Sequence, residues 1–96
     1  MSISAAEVKT FTCNFSSMVE QGQSLMRSLT ALAEQQPNQE FRQAIEQITQ
    51  EVGQGHTLSG AIRKYPNVFS QDYADRIRQG EVNGILDTVL QQLCSS

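Results

Sequence analysis

Asn38-Gln-Glu-Phe41-Arg-Gln-Ala44-Ile45-Glu-Gln-Ile48-Thr-Gln-Glu-Val52-Gly53 is the stretch whose reading decides the fold. Phe41, Ala44, Ile45, Ile48 and Val52 recur at helical spacing, while Glu40, Arg42, Gln43, Glu46, Gln47 and Gln50 fall mostly on the opposite side. Such a pattern is an α-helix with one face in a core and the other in water. Asn38, just after Pro37, is placed to cap its first turn, and Gly53 and Gly55 end it.

The same period recurs on both sides of this segment. Upstream, Ser4 and Glu7 have the spacing of a capping box, and Val8, Phe11, Phe15, Met18 and Val19 follow as a stripe that stops before Gly22. Leu25, Met26, Leu29, Leu32 and Ala33 make a second stripe, ended by the glutamines before Pro37 because a residue preceding proline is pushed out of the helical region. Downstream, Thr57 caps a short fourth helix carrying Leu58, Ala61 and Ile62, which Pro66 limits. Ser70, with Asp72 in the first turn, starts a fifth helix carrying Tyr73, Ala74 and Ile77, and Gly80 is expected to close it. A sixth is expected from about Val82 or Asn83, with Ile85, Leu86, Val89, Leu90 and Leu93 on one broad face. No segment alternates apolar and polar residues with β-branched enrichment, so the expected fold is all-α: a compact six-helix bundle, residues 1–96 forming a single domain. Gly22-Gln-Ser-Leu25 with Leu29 is echoed by Gly55-His-Thr-Leu58 with Ile62. Either glycine followed by a hydroxyl cap simply starts two helices, or the chain is a short helical repeat.

Composition narrows the function classes. Ninety-six residues support one core and exclude a multi-domain enzyme. Hydrophobic residues are 39% and charged residues 18%, with glutamine and serine supplying much of the remaining polarity. Seven Lys+Arg against ten Asp+Glu give a net charge of -3, which argues against gripping nucleic-acid phosphates as the main task. Residues 56–96 are the more basic part, with Arg63-Lys64 and Arg76/Arg78 as pairs, far short of a polybasic signal. No apolar run is long enough to span a bilayer, and the first residues do not form a secretory signal. Cys13 and Cys94 lie near opposite ends with neither a CxxC pair nor a histidine cluster, so no zinc site or dense disulfide framework is readable and a reducing compartment fits. Cys13 falls about 140° from Val8 on a helical wheel, and is either exposed or packed against another subunit. That thiol, or the wide last helix, would serve a homodimer.

Catalytic chemistry finds little support. His56, between Gly55 and Thr57, is the only histidine, and no local motif gives it an orienting partner or gives Ser59 an oxyanion site. Asp72, Asp75, Glu81 and Asp87 lack the alternating spacing and glycine of an EF-hand loop, so surface charge and capping are the expected roles. Neither a metal nor a cofactor is expected. Glu81 follows Gly80 and opens Gly80-Glu81-Val82-Asn83-Gly84-Ile85-Leu86-Asp87. Its carboxylate is placed to accept free amides at the start of the final helix, with Gly84 allowing close backbone approach, and the corner is either a structural cap or partner-facing.

Four phrases taken in order carry a resemblance: Phe11 with Gly22-Gln-Ser-Leu25, Gly55-His-Thr-Leu58-Ser-Gly-Ala61-Ile62, Tyr65-Pro66-Asn67-Val68-Phe69, and Gly80-Glu81 with Gly84, Leu86, Asp87 and Leu90. From about Phe11 to Leu93 the chain resembles the cytoplasmic domain of the type II secretion system protein F family, the inner-membrane platform protein also found in type IV pilus assembly machines. The resemblance implies a six-helix bundle and a non-enzymatic scaffold at the cytoplasmic face of the bacterial inner membrane. Its implied partners are the secretion or pilus assembly ATPase, which supplies mechanical work, and a membrane-anchored adaptor. Typical members carry two such domains and several transmembrane helices, so the chain is expected to be one excised domain or a free-standing copy, with membrane attachment supplied from elsewhere. Tyr65 to Phe69 would turn the chain and plug a ring into the core; Glu81, Gly84 and Asp87 would shape the last turn and a contact surface. Gly55, Pro66, Phe69, Gly80, Glu81, Gly84 and Asp87 are the motif candidates, and exposed Arg76 and Arg78 the residues that would locate the surface. Where family members usually carry an arginine or similar polar residue after Phe-Thr, this chain has Cys13 and Asn14. The competing reading is a free-standing helical-repeat adaptor holding an extended peptide in an open groove; a small hydrolase using His56 and Ser59 is a remote third.

Overall fold

The first turn of each helix shows why it starts where it does. Side-chain oxygens of Ser4, Ser24, Asn38, Thr57 and Ser70 accept backbone amides that a helix start leaves without partners, each cap worth about 1 kcal/mol. At the first of these the box is complete, because Glu7 reaches back to the Ser4 amide at 2.9 Å. The computed structural model describes residues 3–96 and contains α1 (Ala5–Glu20), α2 (Leu25–Gln35), α3 (Gln39–Gly53), α4 (Leu58–Ile62), α5 (Gln71–Asn83) and α6 (Leu86–Ser95). No strand occurs among the described residues. None of the helices is long and apolar enough to cross a membrane.

Each helix lies against the one before it and the one after it, and α6 returns to lie along α1, so the six form a closed ring. An open helical stack would leave its first and last helices apart. The radius of gyration is 12.0 Å, about that of a compact domain of this length. Inside the ring sits an aromatic cluster. Phe11 of α1 meets Phe15, Phe41 of α3 and Phe69 of the α4–α5 link at ring-centroid distances of 5.7, 5.3 and 5.9 Å. Phe69 in turn meets Tyr73 of α5 at 5.0 Å. Leu29, Ile45, Ile48, Leu58, Ile62, Ile77 and Leu90 fill the space around these rings and are fully buried.

One polar pair is sealed within this core. The Thr12 hydroxyl donates to the Val8 carbonyl at 2.8 Å, which leaves its oxygen to accept the Tyr73 hydroxyl, also at 2.8 Å. Burial pushes the Tyr73 phenol up to about 12. No buried side-chain nitrogen or oxygen among the described residues lacks a partner.

The end of α5 and the start of α6 differ from expectation. Gly80 does not close α5 but lies inside it, buried, and the helix runs on to Asn83. The closing glycine is Gly84, whose φ of 69° lies in the left-handed region that a side chain resists. Amides of Gly84 and Ile85 both return to the Gly80 carbonyl, completing the stop. In consequence α6 starts at Leu86, later than Val82 or Asn83, and Ile85 stays 43% exposed rather than joining the buried face. Close approach belongs to Gly80 instead of Gly84: a Cβ there would stand 3.0 Å from both the Leu86 Cα and the Val89 Cγ2.

The cysteines also depart from expectation. Cys13 is neither solvent-facing nor turned to another subunit; it forms a disulfide with Cys94, Cα–Cα 4.8 Å, and no free cysteine remains among the described residues. The wheel misplaced it because α1 is wedged between α2 and α6, so its covered sector is wider than one stripe. The expectation of free thiols is withdrawn with it. With a sequence separation of 81, the bond closes almost the whole chain. On the chain-entropy model that stabilises the fold by about 4.5 kcal/mol.

Two outcomes follow for stability. Gly80→Ala should cost about 1–3 kcal/mol in chemical denaturation, because the backbone of α6 leaves the added methyl nowhere to go. The unfolded chain ionises Tyr73 near its ordinary value of 10, the native chain at about 12. Stability contributed by this group is therefore complete below pH 10 and falls by up to about 1.4 kcal/mol per pH unit as pH rises from 10 to 12. Denaturation midpoints measured across that range should show the fall in the native sequence and lose this component in Tyr73→Phe.

Candidate functional site

The corner between α5 and α6 gathers four of the motif residues. Gly80 and Gly84 fix its backbone as described, and Asp87 lies exposed in the first turn of α6, where its charge suits the helix dipole. Glu81, half-buried, turns away from α6. One of its oxygens accepts the Ser59 hydroxyl at 2.6 Å and the other the Ser59 amide at 3.2 Å. The carboxylate thus sits at the start of α4, not of the final helix. The reason is that Leu86, three residues past Asn83, begins α6 on the far side of the Gly84 turn, whereas α4 packs directly against α5.

This contact fixes the role of Ser59. Ser59 is 2% exposed and its hydroxyl proton is directed to Glu81, not to His56 as a base would need. His56 itself lies exposed between the Gly55 turn and the Thr57 cap.

The remaining candidates are distributed rather than gathered. Gly55, at φ 103°, makes the exposed turn that leads into α4. Pro66 is exposed in the α4–α5 link, while Phe69, three residues on, is 2% exposed and belongs to the aromatic cluster. Arg76 and Asp72 form an exposed i,i+4 pair at 3.1 Å. Arg78 lies on the exposed side of α5 and has no ion pair among the described residues. One turn further along the same side is Val82, 73% exposed, followed across the turn by Ile85. Arg78, Val82 and Ile85 therefore give the corner an outward face of one cation and two apolar side chains.

The basic pair Arg63-Lys64 does not form a free positive patch. Arg63 meets Asp75 at 2.6 Å and Lys64 meets Glu51 at 3.0 Å, the latter tying the end of α4 to α3. Beside it, burial and then the Glu51 charge push the Tyr65 phenol up. Asp72, Asp75, Glu81 and Asp87 likewise do not converge on a common point: the first three are engaged by Arg76, Arg63 and Ser59. No group of three or more metal-ligating side chains occurs among the described residues.

At the opposite pole, Glu7 accepts the Asn38 amide side chain at 2.9 Å in addition to capping α1. The Ser4 backbone bond first, and Asn38 second, hold its carboxyl below the usual value. This single residue joins the starts of α1 and α3.

Residues 11–96 match the family model described as type II secretion system (T2SS), protein F. The chain is 33% identical over 93 residues to a type IV pilus assembly protein PilC of Myxococcus xanthus, covering 97% of this chain and 22% of that protein. To a type II secretion system protein F of Vibrio cholerae it is 32% identical over 91 residues, 95% of this chain and 22% of the relative. A PilC of Thermus thermophilus is 32% identical over 89 residues, 93% of this chain and again 22% of the relative. The chain thus spans 22% of the length of each of these curated relatives.

Glu81→Ala should destabilise the protein by about 1–3 kcal/mol, since it strips the buried Ser59 hydroxyl of its acceptor, whereas Asp87→Ala should cost only a few tenths. Thermal melts of the two variants read the difference. Equal effects would place Glu81 in an exposed role.

Proposed function

The chain belongs to the type II secretion system protein F family, and from that premise we propose that it is a non-enzymatic scaffold domain of a type II secretion or type IV pilus assembly platform. Its work is protein contact. The observation that carries this reading is a family match running the length of α2 to α6 and most of α1, on a closed bundle whose polar interior groups are engaged with one another. Charge and shape are consistent with it. A ring closed by α6 on α1 offers no concave groove of the kind an extended-peptide adaptor needs, which disfavours the helical-repeat alternative.

In this reading the domain stands at the cytoplasmic face of the inner membrane and engages the assembly ATPase of the same machine, with the membrane-anchored adaptor as a second neighbour. The contact surface is the outward side of α5 with the turn that follows: Arg76, Arg78, Val82, Ile85 and Asp87. Val82 and Ile85 supply apolar area to bury, and the charged side chains around them set register. Gly80, Glu81 and Gly84 act from behind this surface by fixing the course of the chain. Gly55, Pro66 and Phe69 set the links that bring α4 and α5 into place.

Titration of the purified domain against the cognate ATPase and adaptor is the direct test. Binding is expected to weaken about tenfold or more in Arg78→Ala with Val82→Asp, at unchanged melting temperature, and secretion or piliation to fall in cells carrying both substitutions. Binding and phenotype that survive both changes would move the contact elsewhere on the domain. A domain that binds neither protein would remove the proposed role.

A further inference from the structure

The helix at the end of the chain is held differently from the other five. α6 alone has no side-chain cap at its start. Like every helix of the ring it packs on two others, α1 and α5, burying Leu90 completely, Val89 nearly so, and Leu86 and Leu93 in part. Its final turn is secured by the Cys13–Cys94 disulfide. Both cysteines are half-buried rather than sealed in the core. Lys9 stands one turn before Cys13 on α1, exposed, where its ammonium favours the Cys13 thiolate as a leaving group.

We propose that Cys13–Cys94 is a reversible thiol–disulfide clasp that sets how firmly α6 is held in the ring. Reduction proceeds with glutathione or another small thiol. One reductant thiolate attacks the Cys94 sulfur, the sulfur–sulfur bond breaks, and Cys13 leaves as thiolate beside Lys9. A second reductant thiolate attacks the reductant sulfur of the mixed disulfide, releasing Cys94 as thiolate and the oxidised reductant. Each protein thiolate then takes up a proton from water or buffer. Two electrons pass from two thiols to the protein disulfide, and oxidation by the reductant's disulfide is the reverse.

With the clasp open, Val89, Leu90 and their partly buried neighbours remain to hold α6, so its last turn frays first. α3, capped by Asn38 and buried through Phe41, Ile45 and Ile48, does not depend on the bond directly. Loosening is therefore expected to be greatest at the α6 wall of the ring, on top of the loss of stability shared by the whole fold.

The 96-residue chain can be equilibrated at neutral pH in glutathione buffers from fully oxidised to millimolar reduced, its thiols counted by alkylation and mass spectrometry. Backbone hydrogen exchange is then read separately for α6 and α3. The expected result is full interconversion within that range, with reduction speeding exchange of α6 amides at least about tenfold more than that of α3 amides. Cys13→Ser and Cys94→Ser should lose all response to the glutathione ratio. A bond that survives millimolar reduced glutathione, or never forms with the oxidised form, overturns the proposal. So does equal acceleration in α6 and α3, which would make the bridge a uniform stabiliser.

Discussion

Closure of the ring along the seam between α1 and α6 is the constraint that the rest of the structure depends on. Five of the six helix–helix walls join neighbours in sequence and cost little chain entropy to form. The sixth joins the two ends. Only when it forms is the space around Phe11, Phe41, Phe69 and Tyr73 shut off from water, and only then can Thr12 and Tyr73 share a dry hydrogen bond. The disulfide lies on this same seam, so the bond and the packing reinforce one closure.

Local signals carried most of the fold. The α3 stripe and the five capping residues are read within a few positions of themselves, and each stands where the spacing put it. What the residues alone could not separate was Gly80 from Gly84. Both are glycines near the end of an apolar pattern, and which one stops the helix is decided by α6 crossing over Gly80, a contact invisible from α5. Glu81 is similar, because its partner Ser59 lies 22 positions away and becomes a neighbour only after α4 and α5 have packed. The cysteine pair gave a signal that was misjudged. An even number, one on each terminal helix, is what a ring stapled at its seam would show, but spacing alone carries no geometry.

The candidate surface was legible in part. Glu81, Gly84 and Asp87 were singled out with Gly80 as one segment, and they do share a corner; their labour divides between an inward group that sets the chain's course and an outward group that meets solvent. Val82 reads from the sequence only as a start for α6, although its 73% exposure makes it the most open large apolar side chain of the corner. An earlier start for α6 would have hidden it in a helix face. The later start, forced by the left-handed turn at Gly84, is what leaves it in the open.

The sulfur bridge also decides how the domain responds to being pulled. Ala5 and Ala6 share a surface cleft with Leu93 and Ser96, so both ends of the described chain emerge at one pole. Tension applied between them would have to unravel the part of α1 that precedes Cys13 before reaching the covalent bond, beyond which the body would behave as a nearly inextensible link. Cut the bond, and the 81-residue separation becomes slack that the same tension can draw out, on the order of 270 Å of contour length.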